Sequence, residues 1–173
     1  MPEWSVIENL RTGVAGVCTG VEEAEVPRHF RRSMGRVAIL AALIAVVAVR
    51  DAGLDAAEIA SPACGVSFGS TAGSTQALED YLRQILATNS LKGLQSSVYI
   101  RFMSHTCAAN LATMFQTRGP VIASCAACVS GSQGIGYGYE QIRAGRAEIM
   151  ITGGAEEMHF MDAGIFDVMR ATS

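Results

Sequence analysis

The sequence predicts an α/β fold, a mostly parallel sheet with helices on both faces. Three observations carry that reading. Residues 119–157 run strand, tight turn, helix, strand. Residues 65–69 (GVSFG) form a short run suited to a buried strand. Residues 37–50 are apolar nearly all round, as a helix covered on most faces would be. A strand that feeds a helix through small residues can raise a nucleophile at the helix N-terminus, so the rest of the chain is organised around 119–157.

The elements follow in order. Residues 1–20 hold Trp4, Val6, Ile7 and Leu10, a short helix ending near Gly13. Glu22, Glu23 and Glu25 precede a cationic cluster, Arg28, His29, Arg31, Arg32 and Arg36. Such a run is either a solvated loop and helix start or a patch that steers anions. The helix over 37–50 stops at 51–54, with Gly53 as its left-handed cap. The polar loop 70–75 supplies a turn and an N-cap for a helix over 76–86. It has neither the Walker spacing nor the lysine of a phosphate cradle.

Residues 89–97 read as loop and 98–118 as a helix, with Met103, Leu111, Met114 and Phe115 on its apolar face. Met103 suits a core gap and an adaptable pocket equally. His105 on that face reads as a hydrogen-bonded structural residue rather than a ligand. Strand 121–124 follows, small residues fill a turn up to Gly136, and a helix over 137–144 closes at Gly145. Strand 148–152 is stopped by Gly153 and Gly154, and 163–170 forms a last short helix.

Composition narrows the function classes. A chain of 173 residues, 50% hydrophobic and 17% charged, suits one globular domain with a sizeable core. A net charge of −3 argues against general nucleic-acid binding. The longest apolar run, 37–49, is short for a membrane span. The start of the sequence shows no basic segment leading into an apolar one, the pattern of a secretory signal. Cys18, Cys64, Cys107, Cys125 and Cys128 are odd in number and lack framework spacing, which suggests reduced thiols in a cytoplasmic protein.

The chemistry centres on Cys128, placed at the turn where first-turn N–H groups and the helix dipole favour a thiolate. With Cys125 it forms a CxxC, which alone suits a redox dithiol or half a zinc site. Zinc needs two further ligands, and Cys64, Cys107 and His105 form no second pair. Cys18, Cys64, Cys107 and Cys125 read as small buried cysteines. Ser132 lacks the G-x-S-x-G elbow of a hydrolase nucleophile.

Ala127-Cys128-Val129-Ser130-Gly131, then Ile135-Gly136, then Gly153-Gly154-Ala155-Glu156 stand in one order and spacing. That pattern resembles the β-ketoacyl-[acyl-carrier-protein] synthases of the thiolase superfamily, and residues 123–136 are most similar to the aryl-polyene-type condensing enzymes. The resemblance implies a thiolase-like fold, N-terminal half only, with Cys128 as nucleophile. It implies acyl transfer from a carrier protein to the cysteine, then decarboxylative condensation with malonyl-carrier protein in fatty-acid, polyketide or polyene synthesis. No metal and no cofactor of its own are implied, since phosphopantetheine arrives on the acyl carrier protein. Arg31, Arg32 and Arg36 would dock that carrier, and Met103 would stand at the floor of the acyl pocket. Residues 121–124 would pair with a two-fold mate, in a homodimer or a heterodimer with a related subunit. Neither nucleic acid nor membrane insertion is implied.

The chain departs from the family pattern in two places. No first strand precedes Trp4, and no second half follows with its two catalytic histidines; His29, His105 and His159 fit no such motif. Residues 1–173 are therefore expected to be a partial N-terminal domain, inactive and poorly folded by itself. The lost strand is expected to leave a gap between strands 65–69 and 148–152. Two other classes stay open: a non-catalytic chain-length-factor-like subunit, though such subunits usually lack the cysteine, and a CxxC redox or metal module.

Overall fold

The computed structural model describes Trp4 and residues 7–172. The expected first helix falls partly on Met1, Pro2, Glu3, Ser5 and Val6, which lie outside the described residues, and 10–19 carries no regular structure. Three parallel strands form one sheet: β1 (Cys64–Gly69), β2 (Val121–Ser124) and β3 (Ile149–Gly154), in the order β2-β1-β3. All three stand where the sequence pattern put them. The expected gap is absent. β1 and β3 pair directly, from Cys64 opposite Ile149 to Gly69 opposite Gly154.

β1 is buried at every position, which is why its sequence does not alternate between apolar and polar. Cys64, Val66 and Phe68 join a core with α2 (Arg36–Asp51), α6 (Thr106–Phe115) and Ile151, in which Val37, Ala42, Cys107 and Leu111 are fully enclosed. On the sheet's other face lies α7 (Ser130–Arg143), seated on glycines. A Cβ at Gly138 would fall 2.2 Å from Thr152 Cγ2, and one at Gly154 would fall 2.6 Å from the Gly131 Cα. The small residues 130–136 are thus the first turns of this helix, not part of the preceding turn. Their poor helix propensity, about 1 kcal/mol per glycine, is outweighed by the close approach they permit.

The remaining helices are α1 (Arg28–Arg31), α3 (Ala56–Ile59), α4 (Thr75–Thr88), α5 (Val98–Phe102) and α8 (Phe160–Val168). Ser74 caps α4 as expected, accepting the Ala77 N–H at 3.3 Å. Gly53 follows α2 with φ 69°, the left-handed cap its position predicts. The single helix expected over 98–118 is two helices. Met103 between them is extended, with ψ 148°, and is 44% exposed, so it fills no core gap. Nor is α2 covered on most faces: Ile44 is 68% and Val47 48% exposed. Among the described residues no helix is long and apolar enough to cross a membrane.

Cys64 and Cys107 are buried as expected, whereas Cys18 is exposed. Burial, together with the nearby Glu156 and Glu157, pushes the Cys107 thiol up to about 12 from 9.0. The unfolded thiol ionises near its ordinary value while the folded one stays protonated. The unfolded state therefore binds fewer protons, and this group's contribution to stability falls as pH rises from about 9 towards 12. Native-state alkylation at pH 9, mapped by mass spectrometry, should label Cys18, Cys125 and Cys128 and spare Cys107. Rapid labelling of Cys107 without unfolding would contradict this packing.

Candidate functional site

The site is the turn from β2 into α7. β2 ends at Ser124, and five residues later Val129 caps α7. Ala127, immediately before Cys128, has φ 49°, a left-handed backbone that costs a non-glycine residue about 1–2 kcal/mol. Cys128 follows it, exposed, ahead of the first helical turn and outside the helix. It lines a cavity of about 280 Å³ with Gly69, Thr71, Gly131, Ile135 and Glu156. Cys128 thus stands at a turn after a strand and faces a concavity.

Local bonds set the turn. Buried Ser130 donates its hydroxyl to the Ala127 carbonyl at 2.6 Å and accepts the Ala126 N–H at 2.9 Å. The Ser130 N–H also reaches the Ala127 carbonyl, at 3.0 Å. Ser124 Oγ donates to the Ser130 carbonyl at 2.7 Å, tying the end of β2 to the start of α7. The serine two residues after the cysteine thus satisfies both sides of a turn that the backbone alone would not adopt. Cys125 is exposed rather than buried, and its thiol donates to the Thr71 carbonyl at 3.3 Å. Among the described residues no group of three or more His, Cys, Asp or Glu side chains is placed to hold a metal ion.

Glu156, which lines the cavity, and Glu157 beside it in sequence have no role in the sequence reading. Glu156 accepts from the Thr71 N–H and, at 3.3 Å, from the Ser70 hydroxyl. Glu157 is buried, with 7% of its surface exposed. It accepts the Val37 N–H at 3.1 Å and the Gln76 N–H at 2.8 Å, so one carboxylate sits at the N-termini of α2 and α4 together. Ser74 and Thr75 hydroxyls complete its shell at 3.0 and 3.2 Å. Glu156 closes the Gly153-Gly154-Ala155-Glu156 motif, but for Glu157 the signal in the sequence was only an acid soon after an apolar strand, a position where a solvated charge is the ordinary reading.

The other expected site residues lie apart from Cys128. Loop 70–74 separates Met103 from the turn: Thr71 touches Ala127, while a Cβ at Gly73 would lie 2.6 Å from the Met103 carbonyl oxygen. Arg31 and Arg36 line a second cavity with Ser74, Gln76 and Arg101. Arg36 is engaged with Glu23 at 3.2 Å, and Arg31 Nε is buried with no hydrogen-bond partner among the described residues. Arg32 is exposed, and its carbonyl accepts from Arg101 Nε at 3.1 Å. His105, half-buried ahead of α6, gives that helix no side-chain cap.

With this geometry in view, residues 12–173 match the family described as "Beta-ketoacyl synthase, N-terminal domain". The chain belongs to the β-ketoacyl synthases. A β-ketoacyl synthase from Burkholderia phymatum, known from its crystal structure, superposes with a TM-score of 0.91 at 36% identity, over 100% of this chain and 43% of that one. The 3-oxoacyl-[acyl-carrier-protein] synthase 1 of Haemophilus influenzae is 30% identical over 179 residues, which take in 100% of this chain and 42% of that protein. The ketoacyl synthase alpha subunit of the tetracenomycin polyketide synthase of Streptomyces glaucescens is 32% identical over 146 residues, 80% of this chain and 34% of that one. This β-ketoacyl synthase chain thus spans less than half the length of these relatives. The thiolase-like α/β fold expected from the motifs is the fold found.

Proposed function

We propose that the chain supplies the nucleophile-bearing part of a β-ketoacyl-[acyl-carrier-protein] synthase. The observation that carries this is Cys128, exposed on a braced, left-handed turn at the head of α7 and facing a cavity, in a chain of this family. The Cys128 thiolate attacks the thioester carbonyl of an acyl-phosphopantetheine borne by a carrier protein. A new thioester forms on Cys128, and the phosphopantetheine sulfur leaves and takes up a proton. Malonyl-carrier protein then loses carbon dioxide, its carbanion attacks the Cys128 thioester, and the cysteine is released as the 3-ketoacyl product forms.

Phosphopantetheine arrives with the carrier, and the enzyme needs no cofactor of its own. Exposed Arg32 offers a cationic group to an acidic carrier, and Arg36 would do so by exchanging Glu23 for a carrier carboxylate. Met103, 44% exposed behind loop 70–74 and outside the Cys128 cavity, would meet an acyl chain only where the chain runs past that loop. Among the described residues β2 pairs only with β1, and Val121 on it is 50% exposed, which suits pairing with a second subunit, like or unlike.

A non-catalytic partner subunit would have no use for a braced cysteine turn. A CxxC dithiol is disfavoured by the Cys125 thiol, which is turned to the Thr71 carbonyl. The test is acyl transfer from acyl-carrier protein in the synthase containing this chain, followed by peptide mapping. The acyl group should map to Cys128, and Cys128→Ala should lower transfer on the order of a thousandfold or more. Acyl label on Cys125, or full transfer in the Cys128→Ala variant, would overturn the reading.

A further inference from the structure

We propose that Thr71 and Glu156 are positioning residues that hold the Cys128 turn from across the sheet; this rests on the reading of Cys128 as nucleophile. Thr71 lies on the loop after β1, and it meets the turn twice. Its hydroxyl donates to the Ala127 carbonyl at 3.0 Å, and its own carbonyl accepts the Cys125 thiol at 3.3 Å. Both ends of the segment that leads into Cys128 are therefore fastened to one residue. Thr71 is itself held: its N–H donates to Glu156, which also takes the neighbouring Ser70 hydroxyl, and Ser70 Oγ accepts the Gly73 N–H at 3.0 Å. Glu156 stands just after β3, so a chain of bonds runs from the end of β3 through the β1 loop to the left-handed alanine.

The physical need for this clamp is plain. Ala127 is held at φ 49°, which an alanine avoids unless its surroundings over-determine it. Ser130 braces the turn from within α7, and Thr71 braces it from outside. Without the outer brace the reactive turn is populated about fivefold to tenfold less. Thr71 and Glu156 also line the Cys128 cavity, so a second role there would touch the same atoms. Rescue by serine, which restores the hydroxyl alone, separates a hydroxyl-mediated clamp from mere filling of space.

The test is the rate of iodoacetamide alkylation at each cysteine of this chain, resolved by peptide fragmentation and normalised to exposed Cys18. Thr71→Val keeps the shape and removes the hydroxyl. It should slow Cys128 about fivefold or more, leaving Cys18 unchanged and lowering the thermal midpoint by no more than about 2–4 °C. Thr71→Ser should restore the Cys128 rate to within about twofold. Glu156→Ala should slow Cys128 by a similar factor, and the double variant should be no slower than either single one, since both act through one path. If Thr71→Val does not fold, Thr71→Ala takes its place against the same serine rescue. A Cys128 rate equal to wild type in Thr71→Val, or a Thr71→Ser variant as slow as it, would overturn the proposal. Acyl transfer mapping to a residue other than Cys128 would instead sink the nucleophile reading, while the alkylation ratios would still report on the clamp.

Discussion

Replacing Glu157 by alanine is expected to cost about 3–5 kcal/mol, because it strips several buried N–H and O–H donors of their acceptor at once. The carboxylate accepts backbone N–H groups from the first turns of α2 and α4, at 3.1 and 2.8 Å, and hydroxyls from Ser74 and Thr75. Alanine leaves those donors buried and unmatched, each at about 1–3 kcal/mol if no water enters, and it opens a void where the two helices start. Against a total stability of roughly 5–15 kcal/mol the loss is large, and a domain of this size should melt about 10 °C lower or more. Glu157→Gln keeps the shape and one acceptor oxygen, so it should fall between alanine and wild type. Urea denaturation of the three proteins measures the ranking. A shift below about 1 kcal/mol for the alanine variant would show that Glu157 does not join the helices.

The second large effect is expected at Gly69, where β1 passes under the head of α7. A Cβ there would stand 2.2 Å from the Ser130 carbonyl oxygen, 2.4 Å from its carbon and 2.7 Å from Ser124 Oγ. None of these can give way cheaply. The Ser130 carbonyl is held by Ser124, and Ser130 anchors the turn that presents Cys128. Gly69→Ala must therefore displace either the strand or the first turn of α7, at about 3 kcal/mol by the usual cost of overpacking. In the fraction that folds, acyl transfer should be lost with it. Gly136→Ala is the control: it lies in the same helix with nothing within 4 Å of an added Cβ. That change should raise stability by about 0.5–1 kcal/mol. Chemical denaturation of both variants checks the pair, and equal effects would mean that α7 does not pack on β1 as closely as these distances state.

Much of the site could be read in the residues because it is local. The three strands, the Ser74 cap, the Gly53 cap and the strand-turn-helix around Cys128 each depend on a few neighbours in sequence. Short apolar runs, turn chemistry and N–H satisfaction act over that range. The motif Ala127-Cys128-Val129-Ser130-Gly131 already contained the Ser130 brace, two positions after the cysteine it steadies.

The rest was decided by residues that only folding brings together. Whether residues 130–136 are turn or helix depends on the close seat that Gly131 and Gly138 find against β3, which overrides their weak propensity. The helix expected over 98–118 breaks at Met103, where Gly73 of a loop some thirty residues earlier packs against its carbonyl. Which strands are neighbours is likewise set by pairing between distant segments, and so β1 meets β3 directly where a gap was expected. Glu157 shows the division most clearly. Its partners Val37 and Gln76 are 120 and 81 residues away, and an acid after an apolar strand carries no local mark of them. The sequence by itself determined the three strands, the two caps and the place of the cysteine turn, because those follow from short-range backbone and side-chain preferences. Only the tertiary structure decided which charges are buried and what holds the turn, because a helix N-terminus attracts a carboxylate from wherever in the chain packing delivers one.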